Sequence, residues 1–279
     1  MAKRRAKASR PIRRQTRTGP RFSPTVSRNL LLSSLPLEEQ ERICTLLEVT
    51  SLDVKELLHK PGELIEHVYF PGGGFCSILT VLEDGEMVEV AAIGREGMVG
   101  VTAEAGWLPL SSAAMVQAST DVCYRMSTAA FRREMDRRGA FHSVVTRYTQ
   151  ALMGVIMQTT ACNAAHSIEQ RLARWLLLAR DRVGVDEFPL TQEFVAMMLG
   201  ASRSTVTVVA GMLQKAGLIT YRRGRLTIID GGKLESTSCE CYRISTNLLR
   251  SVTRHSAENF PCSVPAQAAG PRRVDVIGR

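Results

Sequence analysis

The sequence predicts an α+β chain built as a β-roll, a long helix and a winged helix-turn-helix. Three observations predict it. Short apolar segments punctuated by glycine run from about Leu64 to Met126. A seven-residue apolar repeat follows from Phe141 to Cys162, and two capped amphipathic helices with a hairpin lie between Phe188 and Asp230. Many short strands at close spacing argue for a compact antiparallel barrel or roll.

Composition limits the alternatives. At 279 residues and 44% hydrophobic content the chain can form two domains with proper cores. No apolar run approaches the ~20 residues of a membrane span, and no apolar stretch follows the basic start to make a secretory signal. Seven scattered cysteines, at 44, 76, 123, 162, 239, 241 and 262, are no disulfide framework and fit a reducing cytoplasm. The net charge of +9 is localised: residues 1–28 hold ten Lys or Arg and no acid, leaving 26 basic against 27 acidic residues elsewhere. A tail that basic and poor in apolar residues is expected to be disordered and to attract phosphates non-specifically. The expected division is therefore 1–28 basic tail, 29–138 β-roll, 139–165 long helix and hinge, 166–245 winged helix-turn-helix, and 246–279 a loose C-terminal tail.

Within the roll, Leu30–Leu47 holds a short helix begun near Pro36, with acids in its first turn. Strands are expected at Leu64–Phe70, Phe75–Leu82, Met87–Ile93, Met98–Val101, Ala114–Ala118 and Asp121–Met126. Asp84-Gly85 is a two-residue hairpin signal. In the long helix Phe141, Val145, Tyr148, Leu152, Val155, Thr159 and Cys162 recur at alternating four- and three-residue spacing, the pattern of a coiled-coil seam. One apolar face would also serve a helix lying on its own roll; the regular repeat favours a parallel homodimer. Ser167-Ile168-Glu169-Gln170 is a capping box that starts a new helix through about Asp181, so Asn163–His166 is a hinge candidate.

The helix-turn-helix begins at Thr191, an N-cap with Gln192 and Glu193 in the first turn. Phe194, Val195, Met198 and Leu199 make one buried face, and Gly200 supplies the left-handed stop. Ser202 caps a second helix whose Val206, Val209, Ala210 and Leu213 pack back on the first. Arg203, Ser204, Thr207 and Val208 then face outward, where a recognition helix meets base edges in the major groove. Strands at Leu218–Tyr221 and Leu226–Ile229 flank Arg222-Arg223-Gly224-Arg225, a basic tip suited to phosphate contact. These residues point to double-stranded DNA as partner, and dimerisation would supply the two-fold symmetry of paired half-sites.

A roll, a long helix and a winged helix-turn-helix in this order resemble the Crp/Fnr family of bacterial transcription regulators over roughly residues 30–245. The resemblance is most specific in Gln170–Asp181 and Leu190–Ile219. It implies a cyclic-nucleotide-binding-like roll that senses a signal, a homodimer reading a palindromic operator, RNA polymerase as a further partner, and no enzymatic activity. It places Ser202, Arg203, Ser204, Thr205 and Thr207 at base or phosphate contacts, with Arg203 matching an arginine that reads guanine. Ser204 and Val208 stand where cyclic-AMP-responsive members carry an acid and a second base, so the operator should differ from theirs.

The sensor departs from the family pattern. Cyclic-nucleotide-binding members follow a Gly-Glu pair by an Arg that neutralises the phosphate. Here Glu96-Gly97 is followed by Leu110-Ser111-Ser112-Ala113-Ala114, with no Arg between Arg95 and Arg125. A phosphate buried without a cation is costly, so cyclic-nucleotide control is not expected and the effector is left open. The family's cluster-binding cysteines near the N-terminus are also missing, Cys44 being the first. Cys239-Glu240-Cys241 could bind a soft metal or form a redox pair but lacks a second pair, and Cys162 on the seam could crosslink two copies; plain thiols are favoured over both, the five histidines show no ligand spacing, and neither metal nor cofactor is expected. A rival reading is a signal-binding module whose output is a partner protein; salt-dependent binding to a defined duplex separates the two.

Overall fold

Asn29 fastens the start of the fold. In the computed structural model, which describes residues 28–104, 111–222 and 224–259, its side chain caps helix α1 (Leu30–Ser33) and its amide donates to the carbonyls of Pro71 and Gly97 at 2.9 and 2.8 Å. The basic tail at 1–27 lies outside the described residues. Helix α2 (Leu37–Cys44) starts at Pro36 as the sequence requires.

Among the described residues seven strands follow: β1 (Glu48–Leu52), β2 (Leu57–His59), β3 (His67–Pro71), β4 (Phe75–Val81), β5 (Met87–Ile93), β6 (Ser112–Ala118) and β7 (Thr120–Ser127). They form two antiparallel sheets, β1-β7-β3 and β2-β6-β4-β5. The β4–β5 hairpin turns at Asp84-Gly85, where Gly85 has φ +86°. Val68, Phe70, Cys76, Ile93, Val116 and Tyr124 fill the interior. The expected strand at Met98–Val101 is instead one bridge, Val99 to Tyr69, running into a 3-10 turn at Val101–Glu104. β1 and β2 escape a periodicity reading because they are short and mostly exposed.

After α3 (Thr128–Asp136) comes the long helix α4 (Ala140–Ala165). Glu39 of α2 caps it from outside: its two carboxylate oxygens accept the backbone N–H groups of Ala140 and Phe141 at 2.8 and 2.7 Å. Tyr148 donates to the carbonyl of Met98 at 3.0 Å, and its ring lies so close to Gly97 that a Cβ there would meet it at 2.6 Å. Thus α4 lies on the roll.

This arrangement corrects the expected seam. Phe141, Val145, Tyr148, Leu152, Val155, Thr159 and Cys162 are all between 0 and 8% exposed within the single chain. The heptad pattern is real, but its apolar face is covered by the chain's own roll and by a C-terminal helix. A helix resting on its own domain needs the same stripe as a coiled coil, so spacing could not separate them.

The C-terminal half contains α5 (Ile168–Val183), β8 (Glu187–Pro189), α6 (Gln192–Leu199), α7 (Arg203–Lys215), β9 (Ile219–Arg222), β10 (Arg225–Ile228), α8 (Gly231–Thr237) and α9 (Cys241–Asn259). The capping box at Ser167 and Gln170 is formed, so the break between α4 and α5 is confined to His166 and Ser167. The expected loose tail from residue 246 is overturned up to 259 by α9. Tyr242, Ser245, Leu249 and Val252 recur at helical spacing and are buried, the last two in the core shared with α4. The residues beyond 259 lie outside the described part.

A second core joins the two halves. Phe75, Leu79, Ala113 and Ala118 of the roll pack with Leu172, Trp175, Phe194, Val195 and Leu199. Trp175 meets Phe75 and Phe194 edge-on, with ring centroids 6.4 and 6.0 Å apart.

Candidate nucleic-acid interface

Thr191 caps α6 through the N–H of Phe194, and Ser202 caps α7 through the N–H of Thr205 at 3.2 Å. Between them Gly200 takes φ +56°, and the chain bends by 108° from one helix to the next, within the range of a helix-turn-helix. Arg171 of α5 donates to the carbonyl of Leu199, satisfying an end group of α6. Val206, Val209, Ala210 and Leu213 are buried as the spacing requires, which fixes the rotation of α7.

That rotation leaves Arg203, Ser204, Thr205, Thr207 and Val208 exposed, with Val208 at 64%. The hydroxyls of Ser202, Ser204 and Thr205 meet at 2.8–2.9 Å, a polar cluster at the N-terminus of the helix. Thr207 donates to the side-chain carbonyl of Gln192 at 2.6 Å, so Gln192 of α6 is tied to the same surface. Together these put hydroxyl groups, a guanidinium fork and an apolar side chain on one exposed surface, a set of groups chemically able to meet base edges.

The wing is a three-stranded sheet in the order β8-β10-β9; the sequence reading found only its hairpin. Arg222 and Arg225 face each other across the turn, in which Gly224 has φ +75°. Arg223 lies outside the described residues. Arg222 is exposed, whereas Arg225 is paired with Glu187 of β8 at 2.5 Å, which neutralises part of the expected basic tip. Tyr221 bonds the carbonyl of Leu190 and holds the wing against the start of α6.

Residues 170–237 match the model of the Crp-like helix-turn-helix domain. This unit is a Crp-like helix-turn-helix domain. Solved structures share the architecture of both halves. FixK2 from Bradyrhizobium japonicum is 15% identical with a TM-score of 0.60, covering 69% of this chain and 98% of that one. A CRP-family transcriptional regulator from Thermus thermophilus is 21% identical with a TM-score of 0.57, covering 68% and 96%. A CRP/FNR-family regulator from the same organism is 18% identical with a TM-score of 0.54, covering 68% and 98%. At these identities the likeness is one of fold, and the fold is that of the Crp/Fnr transcriptional regulators. Curated proteins give no match.

On the roll side, the Glu96 carboxylate is taken up by two neighbours. It accepts from Arg182 of α5 at 2.9 Å and from the backbone N–H of Gly94 at 3.1 Å, so it ties the Crp-like domain to the roll. Arg182 also donates to the carbonyl of Ala92 at 2.9 Å.

The structure also assembles four residues that the sequence reading left apart. Cys162, His166, Cys239 and Cys241 present ligand atoms that all lie within 4.8 Å of one another. His166 and Cys239-Cys241 are more than seventy positions apart in the chain, which is why no ligand spacing was visible. Cys162 and His166, one helical turn apart, form a half-site signal that could have been noticed.

Proposed function

We propose that this chain is a cytoplasmic, sequence-specific DNA-binding transcription regulator that acts as a homodimer on a palindromic operator. The observation that carries the reading is the exposed N-terminal face of α7: Arg203, Ser204, Thr205, Thr207 and Val208, held outward by a buried opposite face and flanked by a wing. Thr191 and Gln192 of α6 and Ser202 complete the DNA-facing set, with Arg222, Arg223 and Arg225 as phosphate contacts from the wing.

The helix that makes the dimer is α4, but through its outward face. Thr146, Gln150, Met153, Met157, Thr160 and Ala164 are exposed at four- and three-residue spacing, with Met153 and Met157 at 61% and 66%. Two such faces packed about a two-fold axis would bury the methionines and place two copies of α7 to read half-sites one DNA turn apart.

Selection of bound duplexes from a random pool tests the proposal. The expected result is an inverted repeat whose binding weakens steeply with salt. Recovery of no sequence, or of a single unrepeated site by a monomer, would overturn it.

A further inference from the structure

We propose that Cys162, His166, Cys239 and Cys241 form a tetrahedral zinc site that pins the C-terminal helix α9 to the end of α4. The Sγ atoms of Cys162 and Cys239 are 3.5 Å apart, and Sγ of Cys241 is 3.6 Å from Nδ1 of His166. A zinc ion bound at about 2.3 Å to each sulfur sets neighbouring ligands about 3.8 Å apart. The four atoms therefore need only small adjustments to surround one ion, and three sulfurs with one imidazole are a common structural zinc set.

The surroundings fit a metal better than three packed thiols. Nε2 of His166 lies 3.3 Å from the carboxylate of Glu240, the partner that orients a ligating imidazole and fixes the other nitrogen towards the ion. The side-chain amide of Gln158 donates to Sγ of Cys241 at 3.0 Å, an interaction that suits a thiolate. The three cysteines are 0–4% exposed, so water does not compete for the position. Arg174, itself 6% exposed, has a buried Nε with no hydrogen-bond partner. On binding, the three thiols release their protons to solvent. The resulting centre, one doubly charged ion with three thiolates and a neutral imidazole, carries one negative charge, which a buried guanidinium would balance.

The site has a definite place in the fold. Cys162 is in the last turn of α4, His166 is its C-cap, Cys239 follows α8 and Cys241 begins α9. The match to the Crp-like domain stops at residue 237, so two of the ligands lie beyond that domain. The ion would join the α4–α5 junction to the segment that leaves the DNA-binding unit.

Metal content of the full chain, purified under reducing conditions, tests this. Elemental analysis should find about one zinc per chain, lost in the double variant Cys239→Ser, Cys241→Ser. Cobalt(II) added to the metal-free protein should give thiolate-to-cobalt charge-transfer absorption and the intense visible bands of a tetrahedral centre; His166→Gln should shift those bands while keeping the sulfur absorption. The cobalt titration of the unmodified chain decides the matter even when a variant fails to fold. Absence of the sulfur–cobalt absorption would overturn the proposal, as would undiminished zinc in the double variant. A Cys162–Cys239 disulfide found by mass spectrometry in chain handled under reductant would instead make these residues a redox pair and overturn it as well.

Discussion

The carboxyl group of Glu89 on β5 accepts a hydrogen bond from the indole N–H of Trp175 on α5 at 2.9 Å, joining the roll to the Crp-like domain through a buried polar contact. The Ser77 hydroxyl donates to the same carboxylate. Burial raises the Glu89 carboxyl above the ordinary glutamate range, while the two hydrogen bonds and the charges of Arg182 and Arg174 oppose the rise.

A raised pKa in the folded state has a definite sign. The contribution of Glu89 to stability is fully present below the unfolded value of about 4.3 and declines as pH rises through the folded value. Glu89→Gln keeps an acceptor for Trp175 and cannot ionise. Its stability relative to the unmodified chain should therefore be greater at pH 7.5 than at pH 5, measured by denaturant midpoint. An equal or reversed difference would show that Arg174 and Arg182 hold the carboxylate ionised.

Arg203→Ala should cost about 1–3 kcal/mol on the preferred duplex and relax the preference at one base pair in each half-site. Arg222→Ala should weaken all sequences alike and flatten the salt dependence. Arg225→Ala should do less than Arg222→Ala, because Glu187 already pairs with Arg225. Binding isotherms on the selected site and on single-base variants separate these outcomes.

Met153→Asp and Leu152→Asp, neighbours in sequence, should fail differently. The first places a charge on the exposed face of α4 and should give a folded monomer in sedimentation. The second puts an unpartnered carboxylate into the core, with a cost of about 3–5 kcal/mol in the fold itself. A folded monomer from Leu152→Asp would restore the inward residues as the dimer seam.

Leu249→Ala should destabilise the protein by about 2–5 kcal/mol, the cost of a cavity in a core, read from thermal or denaturant unfolding. An effect near zero would mean that α9 is dispensable to that core.

Cyclic AMP and cyclic GMP at millimolar concentration should leave the melting temperature unchanged. Ser112 and Ala113 supply no cation for a phosphate, and the Glu96 carboxylate is committed to Arg182. Binding at 100 times the dissociation constant would add about 2.7 kcal/mol, easily seen. A shift with either nucleotide would place another cation, such as Arg95, at the phosphate.

The caps and periodicity of residues 188–230 were legible in the sequence because they are local: Thr191, Gly200 and Ser202 act on their immediate neighbours. The order of roll, helix and helix-turn-helix followed from strand spacing and turns. What a given apolar stripe faces is not local. The heptad from Phe141 to Cys162 meets the roll and α9, and α9 itself was hidden because its stripe at Tyr242, Ser245, Leu249 and Val252 includes a serine and precedes a segment rich in Pro and Ala. The pairing of Arg225 with Glu187 and the meeting of Cys162 with Cys239 depend on contacts between distant segments, which spacing does not encode.

The wall that Phe75, Leu79, Ala113 and Ala118 present to Trp175 and Phe194 makes the two halves poor candidates for separate life. A fragment beginning at Ser167 would keep every residue proposed to face DNA yet expose the apolar side of α5 and α6 to water, inviting aggregation. Chimeras that graft this reading head onto another roll would have to carry β4 and β6 with it, or rebuild an equivalent wall on the host.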